Sequence, residues 1–298
     1  MPEETTALSA WETVTGAVTL RDLLQGEDSM FALRGAGLAL GMAGLIAGLS
    51  TTALAGGSIK DEPTGGRQLE FSFNVGGTTD YVYRGLSQSW EKPAVQGGFD
   101  VTYGSFYIGT WASTIDFSAG PNSPADVEVD FYAGFKPEFS GLSFDFGVIY
   151  YAYPGVTDPG AELNMVELKA GVSGSPITNL TLGGTMFFSP EYTGETGEVW
   201  TFEGSAAYEF SKIGMFTPTL SALIGYQFGD LADGYNVKGT LGADDDYVYW
   251  NVGLGLAIEK FALDFRYWDT DIGSANAGIC AHTKLCDERF VFSAKFTY

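Results

Sequence analysis

Apolar and polar residues alternate with period two along most of the chain. Between Phe71 and Arg84 the odd positions Phe71, Phe73, Val75, Tyr81 and Tyr83 are apolar or aromatic, and the even positions Ser72, Asn74, Thr78, Asp80 and Arg84 are polar. Successive side chains of a strand point to opposite faces, so one face seeks an apolar medium and the other tolerates water. Twelve such segments are predicted: Leu69–Ser87, Ala94–Tyr103, Phe106–Asp116, Asp126–Glu138, Leu142–Tyr153, Met165–Ser173, Leu180–Ser189, Val199–Phe210, Phe216–Phe228, Tyr247–Glu259, Phe261–Asp271 and Arg289–Tyr298. The fourth is the cleanest, with Val127, Val129, Phe131, Ala133 and Phe135 opposite Glu128, Asp130, Tyr132, Gly134 and Lys136. Pro218 weakens the ninth as a central strand, because proline has no N–H for the ladder.

The connections alternate in length. Gly104-Ser105, Phe139–Gly141, Gly174–Asn179, Ser211–Met215 and Lys260 are short, whereas Ser118–Ala125, Pro154–Asn164, Pro190–Glu198, Gly229–Asp246 and Ile272–Glu288 are long. Short turns at one end and long loops at the other are the signature of an outer-membrane barrel. The expected fold is therefore all-β: a transmembrane antiparallel β-barrel of about 12 strands, closed by pairing of the first and last strands so that no edge remains. Residues 67–298 form this barrel. Tyr103, Tyr107, Tyr150, Tyr151, Tyr153, Tyr192, Trp200, Tyr226, Trp250, Trp268 and Tyr298 fall near strand ends and read as interfacial girdles, because their rings are amphipathic.

Upstream, residues 1–29 are a polar, acidic extension that nothing downstream needs, with Met30 read as the true start. Residues 30–55 read as a signal peptide: Arg34, an apolar run from Gly35 to Leu49, and Ala53-Leu54-Ala55 as the cleavage site. Residues 56–66 are a flexible leader. The chain is thus expected in the bacterial outer membrane after export.

Composition adds sign rather than class. The formal net charge is −22, and glycine (41) and phenylalanine (22) are abundant at only 17% charged residues, as a barrel requires. Without a basic stripe, nucleic-acid binding is excluded. The expected partners are outer-membrane lipid and lipopolysaccharide, small solutes or ions, and the barrel-assembly machinery through the aromatic last strand.

The opening stretch, Asp80-Tyr81-Val82-Tyr83-Arg84-Gly85-Leu86-Ser87-Gln88 with Pro93–Gly98 and Tyr107-Ile108-Gly109-Thr110-Trp111-Ala112-Ser113, resembles the TorF porin family. Glu128–Gly134, Gly147–Gly155 and Ser189-Pro190-Glu191-Tyr192 are similar to it as well. The resemblance covers most of the region after the leader. It implies an exported outer-membrane barrel and suggests a pore; Cys280, Cys286 and the residues before Met30 lie outside the pattern.

Asp80, Arg84, Glu128, Asp130, Asp145, Glu167, Lys169, Glu203, Glu209, Asp264, Arg266 and Lys295 fall on polar faces and are the candidate pore-lining residues. Acids outnumber bases, so a continuous lumen is expected to prefer cations. Asp80 and Arg84, four apart on one strand, read first as an internal salt bridge that holds the barrel's shape; a charged pair lining a constriction is the alternative. Twelve strands lie between filled and open barrels, so the passage is expected to be narrow. Inward glycines leave space or accommodate neighbours such as Tyr132.

Passive diffusion needs neither catalysis nor cofactor. The acidic loop containing Asp230, Asp233, Asp244, Asp245 and Asp246 offers oxygen ligands suited to Ca²⁺, but without an EF-hand spacing it reads first as a solvated loop. Cys280 and Cys286 read as a disulfide in an exported protein. His282, the single histidine, has no evident nucleophile partner, so no enzyme is expected. The alternative to a channel is a non-conducting barrel whose acidic loops bind a ligand, an ion or a surface partner.

Overall fold

The structure, a computed structural model, describes residues 68–117, 125–156, 162–231, 246–272, 280 and 284–298. The expected extension, signal peptide and leader, together with His282, Asp233, Asp244 and Asp245, lie outside the described residues.

Twelve long strands form one antiparallel sheet: β1 (Leu69–Thr78), β2 (Ala94–Tyr103), β3 (Phe106–Thr114), β4 (Val127–Phe135), β5 (Leu142–Ala152), β6 (Met165–Ile177), β7 (Leu180–Ser189), β8 (Val199–Glu209), β9 (Thr217–Gly229), β10 (Asp246–Ile258), β11 (Phe261–Thr270) and β12 (Arg289–Thr297). Each strand pairs with its neighbours in sequence, and β1 pairs with β12 from Asn74↔Thr297 to Thr78↔Ser293, which closes the barrel. Pro218 is the second residue of β9, near the strand start where a missing donor is tolerated.

The outer face is apolar. Phe71, Phe99, Phe131, Leu168 and Ile224 are exposed, although each is a side chain that burial would stabilise. Rings pair across strands on this face, as Phe106 with Phe135 and Phe265 with Phe292, both at 4.8 Å, and Phe73 with Tyr298 at 5.3 Å across the closing seam. An apolar band of this extent belongs against lipid tails, and closure leaves no unpaired backbone there. An outward charge is therefore costly. Phe131→Arg, at the middle of β4, is expected to destabilise the barrel by about 2–4 kcal/mol, measured by urea titration in lipid vesicles; an unchanged midpoint would contradict a lipid-facing Phe131.

Two belts of outward aromatics flank this band. Tyr150, Trp200, Tyr226 and Trp250 lie at the long-loop end, and Tyr103 and Tyr298 at the short-turn end. Five of the expected girdle residues are not in them. Tyr107, Tyr151 and Trp268 point into the barrel, and Tyr153 and Tyr192 are buried in loops. The two inward tyrosines serve interior carboxylates instead, Tyr107 donating to Asp145 (2.8 Å) and Tyr151 to Glu167 (2.8 Å).

The largest departure from the sequence expectation is the first strand. It ends at Thr78, not Ser87. Residues 79–93 leave the wall and form a small hairpin in which Val82-Tyr83 pairs with Leu86-Ser87. Arg84 and Gly85 form the two-residue turn, with φ of 49° and 84°. Both values are left-handed, the geometry of the tight turn that matches strand twist.

Candidate functional site: a hairpin across the lumen

The tip hairpin crosses the barrel interior. From β1 it reaches the opposite wall, where Arg84 makes a bidentate pair with Glu167 of β6 (2.8 and 3.0 Å) and packs over Phe187 of β7 (5.0 Å). Tyr81 donates to Glu128 of β4 (2.7 Å), and Tyr247 of β10 donates to the Arg84 carbonyl (3.1 Å). At its base, Asp80 pairs with Arg289 of β12 (2.8 Å) and accepts from Ser87 and Ser89. Contacts to five strands around the ring fix the segment as a bar across the passage. Asp80 and Arg84 are thus not on a wall strand, and they do not pair with each other. The extended arm through Val82-Tyr83 separates them, with Asp80 at the base of the hairpin and Arg84 in its turn, so each meets a different wall.

Gly85 is required at the tip. A Cβ there would lie 2.4 Å from Thr270 Cγ2 and 2.9 Å from Tyr249 Cβ, on a backbone that disfavours any side chain. Burial pushes the Tyr81 and Tyr83 hydroxyls well above the ordinary tyrosine range, so both serve as neutral donors. Burial is the largest influence on Arg84 and opposes its charge, but the Glu167 carboxylate together with Tyr83, Tyr192 and Tyr249 outweighs it and holds the guanidinium above its usual value.

The last long loop seats the hairpin from above. Cys280 and Cys286 are joined as a disulfide, with Cα atoms 5.5 Å apart. Within that staple, the Leu285 carbonyl accepts the Ser87 N–H (2.9 Å) and the Lys284 carbonyl accepts from Arg289 (2.5 Å), the partner of Asp80. Hairpin, Arg289 and disulfide loop form one connected unit.

Below the hairpin, most of the remaining expected residues point inward and fall into separate groups. Arg266 lies against Asp264 (2.9 and 3.0 Å), Asn251 (2.5 Å) and Ser221 (3.0 Å). Its guanidinium lies over Gly253, where a Cβ would approach Cζ to 2.7 Å. Lys169 pairs with Asp145 (2.6 Å), which Tyr107 also serves. Glu203 accepts from Tyr249 (2.5 Å), and Asp100, which the sequence reading did not single out, accepts from Tyr132 (2.5 Å). Glu209 is exposed at the rim and Lys295 faces inward from β12. Like Arg266 over Gly253, Tyr107 lies over Gly134 and Gly147, and Tyr249 over Gly225, whereas Gly255 keeps room for a Cβ, which would meet nothing nearer than 3.8 Å. Asp246 opens β10 and accepts from Tyr226. Among the described residues no group of three or more carboxylate, histidine or cysteine side chains is arranged to hold a metal.

A closed twelve-strand barrel with an apolar belt and a charged interior is a transmembrane barrel of porin-like architecture. The chain belongs to the Gcw_chp family, described as bacterial protein of unknown function, which matches residues 60–298. No curated protein matches it in sequence. Among solved structures it is similar to a KdgM porin (TM-score 0.49, 10% identity, covering 76% of this chain and 99% of that one). It is also similar to a NanC porin (TM-score 0.47, 11% identity, 75% and 98%) and to LpxR from Salmonella typhimurium (TM-score 0.43, 12% identity, 76% and 99%).

Proposed function

We propose that this barrel is an outer-membrane channel of the TorF type for passive diffusion of small, preferentially cationic solutes or ions, restricted by the hairpin at its outer end. The observation that carries the reading is the interior charge. Ion pairs neutralise Asp80, Asp145, Glu167 and Asp264. Asp100, Glu128, Asp130 and Glu203 lie outside those four pairs, against one further inward base, Lys295, which has an interaction of its own. A narrow passage with low-dielectric walls and a surplus of fixed acid concentrates cations and repels small anions.

In this reading the short turns face the periplasm, the long acidic loops face the exterior, and export precedes assembly through the aromatic last strand. The refolded chain in a planar bilayer under a potassium chloride gradient is expected to reverse at a potential of the cation-selective sign. Reversal with the anion-selective sign would contradict the acidic lumen.

A second reading has its own support. The hairpin bridges opposite walls through buried ion pairs, as a permanent plug would. A barrel that inserts fully into bilayers without conducting would favour this non-conducting, loop-presenting role.

A further inference from the structure

Two of the four acids outside the ion pairs, Glu128 and Asp130, lie together on β4. Antiparallel register places Trp111 of β3, Asp130 of β4 and Tyr151 of β5 side by side in one inward row. Asp130 is completely buried, and among the described residues nothing donates a hydrogen bond to either of its oxygens. The hydroxyls around it are committed elsewhere: Tyr81 to Glu128, Tyr151 to Glu167, and Tyr132 to Asp100. Arg84 is held by Glu167, and no ion pair among the described residues reaches Asp130 or Glu128. The hairpin roofs this spot, with the Tyr81 ring edge-on to Trp111 at 5.4 Å.

A buried carboxyl without a donor either keeps its proton or takes a cationic partner. The surroundings select its type. A hard divalent ion takes six to eight oxygens, and no group of three or more carboxylate, histidine or cysteine side chains offers them here. Aromatic faces on either side of a carboxylate suit a protonated amine: its N–H groups donate to both oxygens, and its charge and first methylenes lie against the rings. We infer that Asp130, flanked by Trp111 and Tyr151 and covered by Tyr81, binds the ammonium group of small amine solutes. The inference rests on the channel reading above and narrows its solute class. Because Tyr81 covers the site, an entering amine displaces the hairpin's grip on Glu128, so occupancy and opening are coupled.

The test is isothermal titration of 1,4-diaminobutane into the full chain refolded in detergent, with acetate as an anionic control and glucose as a neutral one. Saturable binding of the diamine alone is expected, weakened about ten-fold or more in Asp130→Asn, since a charge-assisted hydrogen bond is lost. Asp130→Asn is isosteric and removes an unpaired buried charge, so the barrel is expected to fold, as its heat-dependent gel mobility reports. Trp111→Leu is expected to weaken binding without removing the carboxylate, and Asp230→Asn, an acid outside the lumen, to leave it unchanged. Absence of saturable binding, or equal affinity in Asp130→Asn, would overturn the site. Cation-selective current without amine binding would overturn it while keeping the channel; Asp130-dependent binding in a barrel that passes no current would keep the site and remove the channel.

Discussion

Replacing Arg84 with alanine is expected to free the hairpin from the far wall and to raise conductance several-fold. The guanidinium is the main tie across the lumen: it neutralises Glu167, packs on Tyr83 (4.7 Å) and Phe187 (5.0 Å), and is only 4% exposed. Removing one partner of a buried ion pair strands the other charge, at a cost of about 3–5 kcal/mol. The stranded group is Glu167, which retains the Tyr151 hydroxyl but no cation. Water entering from the released hairpin relieves that cost, so displacement of the hairpin is favoured over strain in the wall. Two readouts are expected to move together. Current steps grow, and exchange protection falls at the Ser87 and Gln88 amides, which donate to Leu285 and Tyr81 carbonyls in the closed arrangement. The double variant Arg84→Met with Glu167→Leu is expected to restore protection, because an apolar pair leaves no charge behind. Unchanged protection in Arg84→Ala would show that the hairpin is held by its base alone.

A second large effect is expected at Arg266, in the wall rather than the hairpin. Arg266 satisfies Asp264, Asn251 and Ser221 together and is 2% exposed. Arg266→Ala leaves Asp264 buried and uncompensated, and is expected to destabilise the barrel by about 3–5 kcal/mol in urea titrations in lipid vesicles. Arg266→Met with Asp264→Leu is expected to recover most of the loss. Here no mobile segment can move aside, so the penalty appears as global stability rather than as current. An Arg266→Ala barrel as stable as the parent would mean that water reaches Asp264 freely from the lumen.

The walls were legible in the sequence because period two is a strong signal when one face meets lipid and the other water. From β2 onward, expected strands and observed ones coincide to within a few residues. The hairpin was not legible by the same rule. Alternation continues in phase through Asp80, Tyr81, Tyr83 and Arg84, with only Val82 out of phase, so periodicity gives little sign that the chain leaves the sheet after Thr78. The usable cue was Arg84-Gly85 between two short β-prone pairs, a tight-turn position where glycine relieves a left-handed backbone. The girdle errors have a different origin. Proximity to a strand end does not separate inside from outside, but parity does: Tyr151 shares its parity with Asp145, and Trp268 with Asp264 and Arg266. Tyr153 and Tyr192 lie in loops, where no parity rule applies. The wiring between hairpin and wall joins residues as many as 213 positions apart, as for Thr79 and Phe292, and no local pattern carries it.

The most direct measurement is single-channel conductance of the refolded chain in planar bilayers, compared with a variant whose hairpin residues 82–87 are replaced by a short glycine-serine link. A narrow cation channel barred by the hairpin gives small steps in the parent and clearly larger steps in the variant, both reversing on the cation side. Equal steps in the two would show that the hairpin does not bar the passage, and no current from either, despite full insertion, would contradict a channel altogether.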